Sequence, residues 1–306
     1  MLALTGCTGK IGGAVLQAIL QHALLPPTTL VVCTSSSIDD MRWDSMKEQG
    51  LVIRQSNYDD PDSMLKAFNG CTKLFLVSTP CIQLDFHDAL VGRERHHINA
   101  IQAAQKAGVE HIYYTSLAFA SESKAGVMRA HLRTEAFLKG LADVKITIIR
   151  EGLYNESWPL YLGYYSLDND ARSEIFTAGD GLISWTAISD LGLATALVLA
   201  DPTAKYAGRT FYLSNLRANS LKDITSMISK FKKEEIRLKA VSREDYVDFY
   251  TGMGRNRGSV EWWSTTYDAL EKNECNISDT TLQDLLLSKG VKHKPIEETI
   301  KEMLDA

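Results

Sequence analysis

The chain has 306 residues, of which 45% are hydrophobic and 23% charged, and its formal net charge at pH 7 is -5. These values exclude a disordered chain, a collagen-like repeat and a small disulfide-stapled module. The length indicates one large domain or two that pack closely, and the acidic excess argues against a protein whose main task is to grip nucleic acid.

The five cysteines are widely spaced and form no Cys-x-x-C pair. This pattern predicts neither a disulfide framework nor a metal site and favours the reducing cytoplasm. Met1 leads directly into a strand-like run, so we expect no signal peptide. No apolar run approaches the roughly 18–20 residues that span a bilayer, and we expect no membrane association.

In the first half of the chain, short apolar strands alternate with amphipathic helices. Leu74, Phe75, Leu76 and Val77 exemplify strands without alternating polarity, which indicates burial on both faces. The order of elements predicts an α/β fold, a Rossmann-type doubly wound parallel sheet. The predicted strands are residues 2–5, 30–33, 51–55, 73–77, 111–115 and 145–149, and the predicted helices are 10–24, 38–49, 61–68, 86–107 and 127–141.

After Arg150 the pattern changes to an aromatic stretch, a strand at 174–177, and then a helix at 189–199 and a strand at 210–214 that return to the sheet. Helices dominate the rest, at 221–231, 243–250, 260–272, 280–288 and 296–304. We therefore assign residues 1–153 and 184–215 to a dinucleotide-binding Rossmann domain. Residues 154–183 and 216–306 form a smaller, mainly helical substrate-binding domain.

The strongest motif, Thr5-Gly6-Cys7-Thr8-Gly9-Lys10-Ile11-Gly12-Gly13, lies between the first strand and the first helix. Glycines at this spacing permit a tight turn, backbone approach to a pyrophosphate, and close packing of helix on strand. The helix N-terminus then offers N–H groups and a partial positive charge to phosphate. The alternative is a glycine-rich turn without a ligand. The predicted cofactor contacts are Gly6, Thr8, Gly9, Lys10, Ile11 and Gly12.

The end of the second strand indicates which dinucleotide binds. Folds selective for NAD place an acid there to hold the ribose 2′-hydroxyl, whereas this chain has no acid until Asp39. An acid repels the 2′-phosphate of NADP and hydroxyl groups hydrogen-bond to it, so we predict a preference for NADP(H), with NAD(H) as the alternative. The predicted contacts are Thr34, Ser35 and Ser36, which otherwise cap the next helix.

Polar and small residues also follow the third, fourth and fifth strands. In open α/β sheets, ligands sit outside the carboxyl ends of the strands. We expect the residues after the third and fourth strands to contact adenine and ribose, and those after the fifth to lie beside the nicotinamide. Each is alternatively a strand-to-helix turn residue. These candidates are Asn57, Tyr58, Ser78, Thr79, Pro80, Ser116 and Phe119.

Several further segments carry a resemblance to a known family. They are Asn57-Tyr58-Asp59-Asp60-Pro61, Tyr114-Thr115-Ser116, His131-Leu132-Arg133-Thr134-Glu135, Ile149-Arg150-Glu151-Gly152-Leu153-Tyr154 and Ala178-Gly179-Asp180-Gly181. With the glycine loop, they resemble the NmrA-like group of atypical short-chain dehydrogenases/reductases over essentially the whole chain. The chain is similar in particular to the NAD(P)H:quinone oxidoreductases and triphenylmethane reductase of that group.

The resemblance implies a Rossmann domain, a helical C-terminal domain, a cleft between them, and NADPH-dependent reduction of a flat, conjugated acceptor. The chain departs from the family at two places. The reducing relatives usually carry Arg just after the second strand, where this chain has Thr34 and Ser35, which bears on cofactor preference. Their usual Arg-Asn reads Arg150-Glu151 here, which bears on the substrate. The group also contains transcriptional co-repressors that bind dinucleotides without turnover.

Ordinary short-chain dehydrogenases use Tyr-x-x-x-Lys for proton transfer, but no tyrosine of this chain has a lysine four residues later. A quinone or cationic dye accepts hydride with little acid help, so the protein mainly orients the reactants. We predict His131 as the acid, Tyr154 as a second proton donor and Asn155 as a substrate-orienting residue. Alternatively, His131 is a residue of the helix surface, and Tyr154 is part of an aromatic cleft wall.

The second part of the chain is rich in aromatic residues, which form either a stacking surface for a planar substrate or ordinary core. They include Trp158, Tyr161, Tyr164, Tyr165, Phe176, Phe249, Trp262 and Trp263.

Together, these features predict a cytoplasmic oxidoreductase that transfers hydride from NADPH to a quinone or similar small conjugated acceptor. The first alternative is a dinucleotide-binding redox sensor that regulates transcription through a protein partner. The second is a biosynthetic reductase dedicated to one natural-product intermediate.

Overall fold

The computed structural model describes residues 1–86, 91–120, 122–203 and 205–306. The strands are β1 (Leu2–Leu4), β2 (Leu30–Thr34), β3 (Val52–Gln55), β4 (Lys73–Leu76), β5 (His111–Leu117), β6 (Lys145–Glu151), β7 (Glu174–Thr177), β8 (Thr210–Leu213) and β9 (Arg237–Ala240). The helices are α1 (Lys10–Gln21), α2 (Asp44–Glu48), α3 (Pro61–Phe68), α4 (Glu94–Lys106), α5 (Gly126–Lys139), α6 (Trp158–Tyr161), α7 (Ile188–Ala200), α8 (Leu221–Lys232), α9 (Arg243–Gly252), α10 (Arg257–Glu271), α11 (Thr281–Leu287) and α12 (Ile296–Asp305).

Seven strands form one sheet in the order β3-β2-β1-β4-β5-β6-β8, and every neighbouring pair is parallel. The chain builds outward from β1 in one direction and then returns to add β4 on its other side. This reversal opens a crevice at the carboxyl ends of β1 and β4, where ligands bind in such sheets. The predicted α/β class and doubly wound sheet are confirmed.

The helices cover the sheet on both faces. On one face α1, α7 and α11 share a core with the strands, and on the other α3, α4 and α5 do so. Leu282 and Leu286 of α11 belong to the first of these cores, within the segment assigned from the sequence to the substrate-binding domain. A third core holds the aromatic residues after β6 and those of α9 and α10. The predicted domain bounds stay a prediction. No helix of the described residues has the length and apolar character to cross a membrane.

Several element bounds differ from the predicted ones. The helix predicted at 38–49 is a 3-10 turn, capped by Asp40, followed by the five-residue α2. The helix predicted at 86–107 begins only at Glu94, and residues 87–90 of that prediction lie outside the described part of the chain. The strand β9, which pairs with β7, was not predicted because its Arg-Leu-Lys-Ala sequence is mostly polar and exposed. The one-turn helix α6 was also not predicted.

A close contact between α1 and α7 sets the position of α1 on the sheet. A Cβ atom added to Gly192 of α7 would lie 2.7 Å from the Cβ of Ala14 on α1 and 2.8 Å from its carbonyl carbon. Real Cβ atoms essentially never come this close to other heavy atoms, so the two helices pack backbone to backbone here. Gly192 therefore permits the approach that places the start of α1 beside the crevice.

We expect Gly192→Ala to lower the free energy of unfolding by about 1–3 kcal/mol, because the added methyl group forces the helices apart. Urea denaturation measures this change. The control is Gly252→Ala, where an added Cβ meets nothing within 4 Å. Equal stability of the two variants would show that the α1–α7 contact does not constrain the fold.

Candidate functional site

The glycine loop joins β1 to α1 in a turn that larger residues cannot adopt. Gly6 has a φ of +67°, and a Cβ atom there would lie 2.9 Å from the Cβ of Val77. A Cβ atom on Gly12 would lie 2.3 Å from the carbonyl oxygen of Gly6. These glycines therefore supply the tight turn and the close helix packing that the sequence predicts.

The start of α1 is suited to an anion. Gly9 stands at the N-cap, no side chain caps the helix, and its first turn contains no acidic residue. The N–H groups of this turn and the positive end of the helix dipole favour a bound phosphate. The loop thus fits the pyrophosphate of a dinucleotide by shape and by charge.

A cavity of about 690 Å³ extends from this loop along the carboxyl ends of the strands. Its size suits a cofactor or a small ligand. It contains most of the cofactor residues predicted from the sequence, together with two of the three catalytic candidates. The predicted residues in its wall are Gly6, Thr8, Gly9, Lys10, Ile11, Gly12, Thr34, Ser35, Asn57, Tyr58, Ser78, Thr79, Pro80, Ser116, His131 and Tyr154.

Three predicted residues do not line this cavity. Ser36 turns away after β2, and its backbone N–H donates to Oγ1 of Thr34 at 3.1 Å. Phe119 is fully buried, and its carbonyl oxygen accepts a hydrogen bond from Arg150 at 3.2 Å. Their assignment to the cofactor site stays a prediction that these positions do not support.

Asn155, the third, also lies away from the cavity, because it faces the C-terminal helix. Its Nδ2 atom donates to the carbonyl oxygen of Lys294 at 3.3 Å and to Oγ1 of Thr299 at 3.0 Å. The side chain is fully buried in these contacts. Its geometry therefore suits an anchor between the segment after β6 and α12, and the predicted role in orienting substrate gains no support from it.

The cavity wall also includes residues that were not among the predicted cofactor-binding and catalytic residues. β5 and β6 run two residues further than predicted, and this brings Leu117 and Glu151 to the carboxyl edge. The strand-end rule would have found both with correct bounds. Arg93 immediately precedes α4, and His96 lies in its first turn. No local sequence pattern predicts that either residue reaches the cavity. The full set of additional wall residues is Thr5, Cys33, Ser56, Asp59, Val77, Cys81, Arg93, His96, Thr115, Leu117 and Glu151.

Tyr58 ties the loop after β3 to the two central strands. Its hydroxyl donates to the carbonyl oxygen of Val77 at 2.7 Å and lies 3.2 Å from Oγ1 of Thr5. Thr5 in turn accepts from the backbone N–H of Val77 at 2.9 Å. The ring of Tyr58 stacks on His96 with centroids 5.8 Å apart. The cavity floor is therefore cross-linked at the strand reversal.

A buried hydrogen-bond chain behind the cavity links two histidines. The backbone N–H of Thr79 donates to Nε2 of His97 at 3.1 Å, so the ring proton of neutral His97 sits on Nδ1, 2.8 Å from Oγ1 of Thr134. The hydroxyl of Tyr114 lies 3.3 Å from this Nδ1 atom and 2.9 Å from Nδ1 of His131.

His97 and His131 are both neutral near physiological pH. Burial, with the nearby Arg93 guanidinium as a second cause, lowers the pKa of His97 and that of His131 well below the usual value. His131 is therefore not an imidazolium acid. As a neutral imidazole it has one ring nitrogen that donates a hydrogen bond and one that accepts.

Arg150 and Glu151 are the last two residues of β6, and their side chains lie on opposite faces of the sheet. Arg150 pairs with Glu135 of α5 through two hydrogen bonds of 3.0 Å and 2.7 Å. Ser116, in the cavity wall, donates to the same carboxylate at 2.7 Å. Glu151 points the other way and accepts from Oγ1 of Thr195 at 2.8 Å. Burial raises the pKa of Glu151 to about 8.

A second, smaller compartment of about 230 Å³ adjoins the cavity. Leu117 and Tyr154 belong to the walls of both, so the two spaces meet there. Of the aromatic residues predicted as a stacking surface, Tyr161, Tyr164, Trp262 and Trp263 line this compartment. Trp158, Tyr165, Phe176 and Phe249 do not, and they pack in the third core. Within the described ranges, no group of His, Cys, Asp and Glu is arranged to hold a metal ion.

Comparison with known proteins relates this geometry to a family. Residues 6–168, more than half of the chain, match the model of a family described as NAD(P)H-binding. The chain is 27% identical to the NmrA-like family domain-containing oxidoreductase flvB of Aspergillus flavus, covering 98% of this chain and 94% of that protein. It is 28% identical to quinone oxidoreductase 2 of Escherichia coli, covering 96% and 98%.

Solved structures give the same result. The triphenylmethane reductase of Citrobacter sp., complexed with NADP(H), is 27% identical and aligns over 99% of both chains with a TM-score of 0.78. The quinone oxidoreductase of Escherichia coli, complexed with NADPH, aligns with a TM-score of 0.80 over 99% of both chains at 25% identity. The resemblance to the NmrA-like group is therefore confirmed.

We expect Glu135→Gln to lower the free energy of unfolding by about 3–5 kcal/mol, because it leaves the buried Arg150 guanidinium without its anionic partner. Urea denaturation measures the loss. In the control Glu235→Gln, the pair with Arg237 is about 70% exposed on both sides, so the loss is below about 1 kcal/mol. A small loss for Glu135→Gln would show that the buried pair does not hold β6 to α5.

Proposed function

Because the chain belongs to the NAD(P)H-binding family, we propose that it is an oxidoreductase that transfers hydride from NADPH to a quinone or similar conjugated acceptor. The observation that carries this proposal is the aromatic compartment that meets the cofactor cavity at Leu117 and Tyr154. An acceptor there lies next to the end of the cavity formed by β5 and β6. The names of the Escherichia coli and Citrobacter relatives support the same class of acceptor.

The residues of the cavity divide into regions for the parts of the cofactor. The N-terminus of α1 would hold the pyrophosphate through the N–H groups that follow Gly9. Thr34 and Ser35 at the end of β2 would accept the ribose 2′-phosphate, since no acid stands there to repel it. Ser116 and Leu117, on β5, would border the nicotinamide. When bound, NADPH supplies the hydride.

The aromatic compartment would orient a flat acceptor and exclude water. Tyr161, Tyr164, Trp262 and Trp263 offer ring faces and edges to a conjugated system. Tyr154 stands at the boundary of the two spaces, so its hydroxyl can hydrogen-bond to an acceptor oxygen. His131, as a neutral imidazole in the wall of the cofactor cavity, can form a second hydrogen bond to the acceptor. Their catalytic roles remain part of the proposal.

We expect the purified protein to oxidise NADPH in the presence of at least one member of a panel of quinones, cationic dyes, enones and imines. Loss of NADPH absorbance measures turnover, and NADPH fluorescence measures binding. Tight binding without turnover across the panel would contradict the enzyme proposal and favour the redox-sensing regulator. Turnover of one complex natural-product enone alone would favour the dedicated biosynthetic reductase.

We expect Ser35→Asp to weaken NADPH binding by about tenfold or more, because the new carboxylate repels the 2′-phosphate. NADH lacks this phosphate, so its binding changes less, and titration of the two cofactors measures the difference. Ser45→Asp, which adds the same charge to an exposed position on α2, is the matched control. If Ser35→Asp weakened the binding of NADPH and of NADH equally, the proposal that the 2′-phosphate binds at the end of β2 would be wrong.

A further inference from the structure

We propose that Glu151 is the proton donor of the reaction, giving its carboxyl proton to an oxygen atom of the acceptor as the acceptor takes hydride. This inference rests on the proposed function and gives a chemical role to Glu151, which the sequence marked only as a departure from the usual Arg-Asn of the family. It makes the site able to reduce acceptors that need a proton as well as a hydride.

The position of Glu151 carries the inference. Its side chain is 1% exposed, and the residue forms part of the cavity wall together with Ser116 and Tyr154. Its register partners are Leu117 on β5 and Leu213 on β8, which are both apolar. Its Oε1 accepts from Thr195, whereas Oε2 has no hydrogen-bond partner in the described part of the chain. A buried carboxyl oxygen without a partner is costly unless it carries a proton or meets a ligand.

The neighbouring residues on β6 and just after it supply no cation to Glu151. Arg150 directs its guanidinium to the opposite face, where Glu135 binds it. The segment after β6 contributes the phenol of Tyr154 and the carboxyl of Glu156, which accepts from the backbone of α7. The groups on this side are therefore neutral or acidic, and they favour the protonated form of Glu151.

The helices α7 and α1, which pack on the same face of the sheet, carry two further ionisable residues, the acid Asp190 on α7 and the base Lys10 on α1. On α7, Thr195 donates to Glu151, and the carboxyl of Asp190 accepts from the backbone N–H of Lys294. On α1, Lys10 is exposed and lines the cavity at the phosphate end. Burial raises the pKa of Glu151 to about 8, and the hydrogen bond from Thr195 acts in the opposite direction. The carboxyl therefore keeps its proton at neutral pH and loses it above that value.

The step balances atoms and charge. The acceptor, a quinone, gains a hydride with two electrons from NADPH and a proton from Glu151, and becomes the hydroquinone. The O–H bond of Glu151 breaks as the new O–H bond of the hydroquinone forms. Glu151 is left as a carboxylate, and with the nicotinamide beside Ser116 and Leu117 its negative charge would offset the positive charge that the cofactor gains. After product release, the carboxylate takes a proton from water.

The other proton donors in the wall are less suited to this step. His131 is neutral, so donating its proton would leave an imidazolate anion, and burial raises the pKa of Tyr154 above its usual value. Glu151 titrates closest to neutral pH of the three. His131 and Tyr154 remain suitable as hydrogen-bond donors that hold the acceptor oxygen.

The decisive experiment compares two acceptors in Glu151→Gln, which keeps the size and the contact with Thr195 but cannot supply a proton. A 1,4-benzoquinone needs a hydride and a proton, whereas a cationic triarylmethane dye needs only the hydride. We expect quinone turnover to fall about 100-fold or more, with dye turnover and NADPH affinity largely retained. Quinone turnover of the unmodified protein falls as pH rises through about 8, and dye turnover does not.

Glu156→Gln is the matched control, because it removes a neighbouring carboxyl that lies outside the cavity wall. Thr195→Val removes the hydrogen bond that favours the carboxylate, so we expect the alkaline fall in quinone turnover to move to higher pH. A readout independent of turnover is proton release on cofactor binding, measured by calorimetry in two buffers of different ionisation enthalpy. NADP⁺ binding at neutral pH releases more protons than NADPH binding, and Glu151→Gln abolishes the difference.

Equal loss of quinone and dye turnover in Glu151→Gln would overturn the inference, because it would indicate a structural role. Retained quinone turnover, or an unchanged difference in proton release, would overturn it as well. If the unmodified protein binds NADPH but turns over neither acceptor, the proposed function fails, and the inference fails with it. These outcomes separate the two claims.

Discussion

The near contact between the glycine loop and the central strands is the constraint on which the rest of the site depends. Gly6 lies against Val77 of the segment after β4, and Gly12 lies against Gly6, so the start of α1 rests directly on the strand reversal. Gly192 of α7 permits an equally close approach from the other side of α1. Because an added Cβ at any of these three glycines would lie closer than 3 Å to another heavy atom, the phosphate-binding end of the helix is fixed by steric contact.

The second determinant is the alternation of side chains at the end of β6. Arg150 faces α5 and is neutralised by Glu135, which also holds Ser116 in the cavity wall. Glu151 faces α7, where it accepts a hydrogen bond from a hydroxyl and forms no ion pair with any described residue. One strand thus carries a stabilising ion pair on one face and a neutral carboxylic acid on the other. The sheet thus separates the environments of the two carboxyl groups.

Sequence reasoning succeeded where the chemistry is local. The parallel sheet follows from continuous apolar strands, and the phosphate loop follows from glycine spacing, since both depend on neighbouring residues. The predicted ends of elements are less accurate, as for β5, β6 and the helix predicted to begin before Glu94. Residues that are close along the chain were also predicted to belong to the same site. Ser36, Phe119 and Asn155 follow strands that reach the cavity, but they do not line it.

The sequence by itself determined the fold class, the dinucleotide loop and the richness in aromatic residues after Arg150. Only the tertiary structure decided which aromatic residues face a cavity, that His131 is buried and neutral, and that Glu151 lies in the cavity wall without an ion-pair partner among the described residues. These properties depend on burial and on partners from distant segments, such as Thr195 for Glu151 and Tyr114 for His131. A linear pattern does not encode them, because protonation is set by the three-dimensional environment of each group.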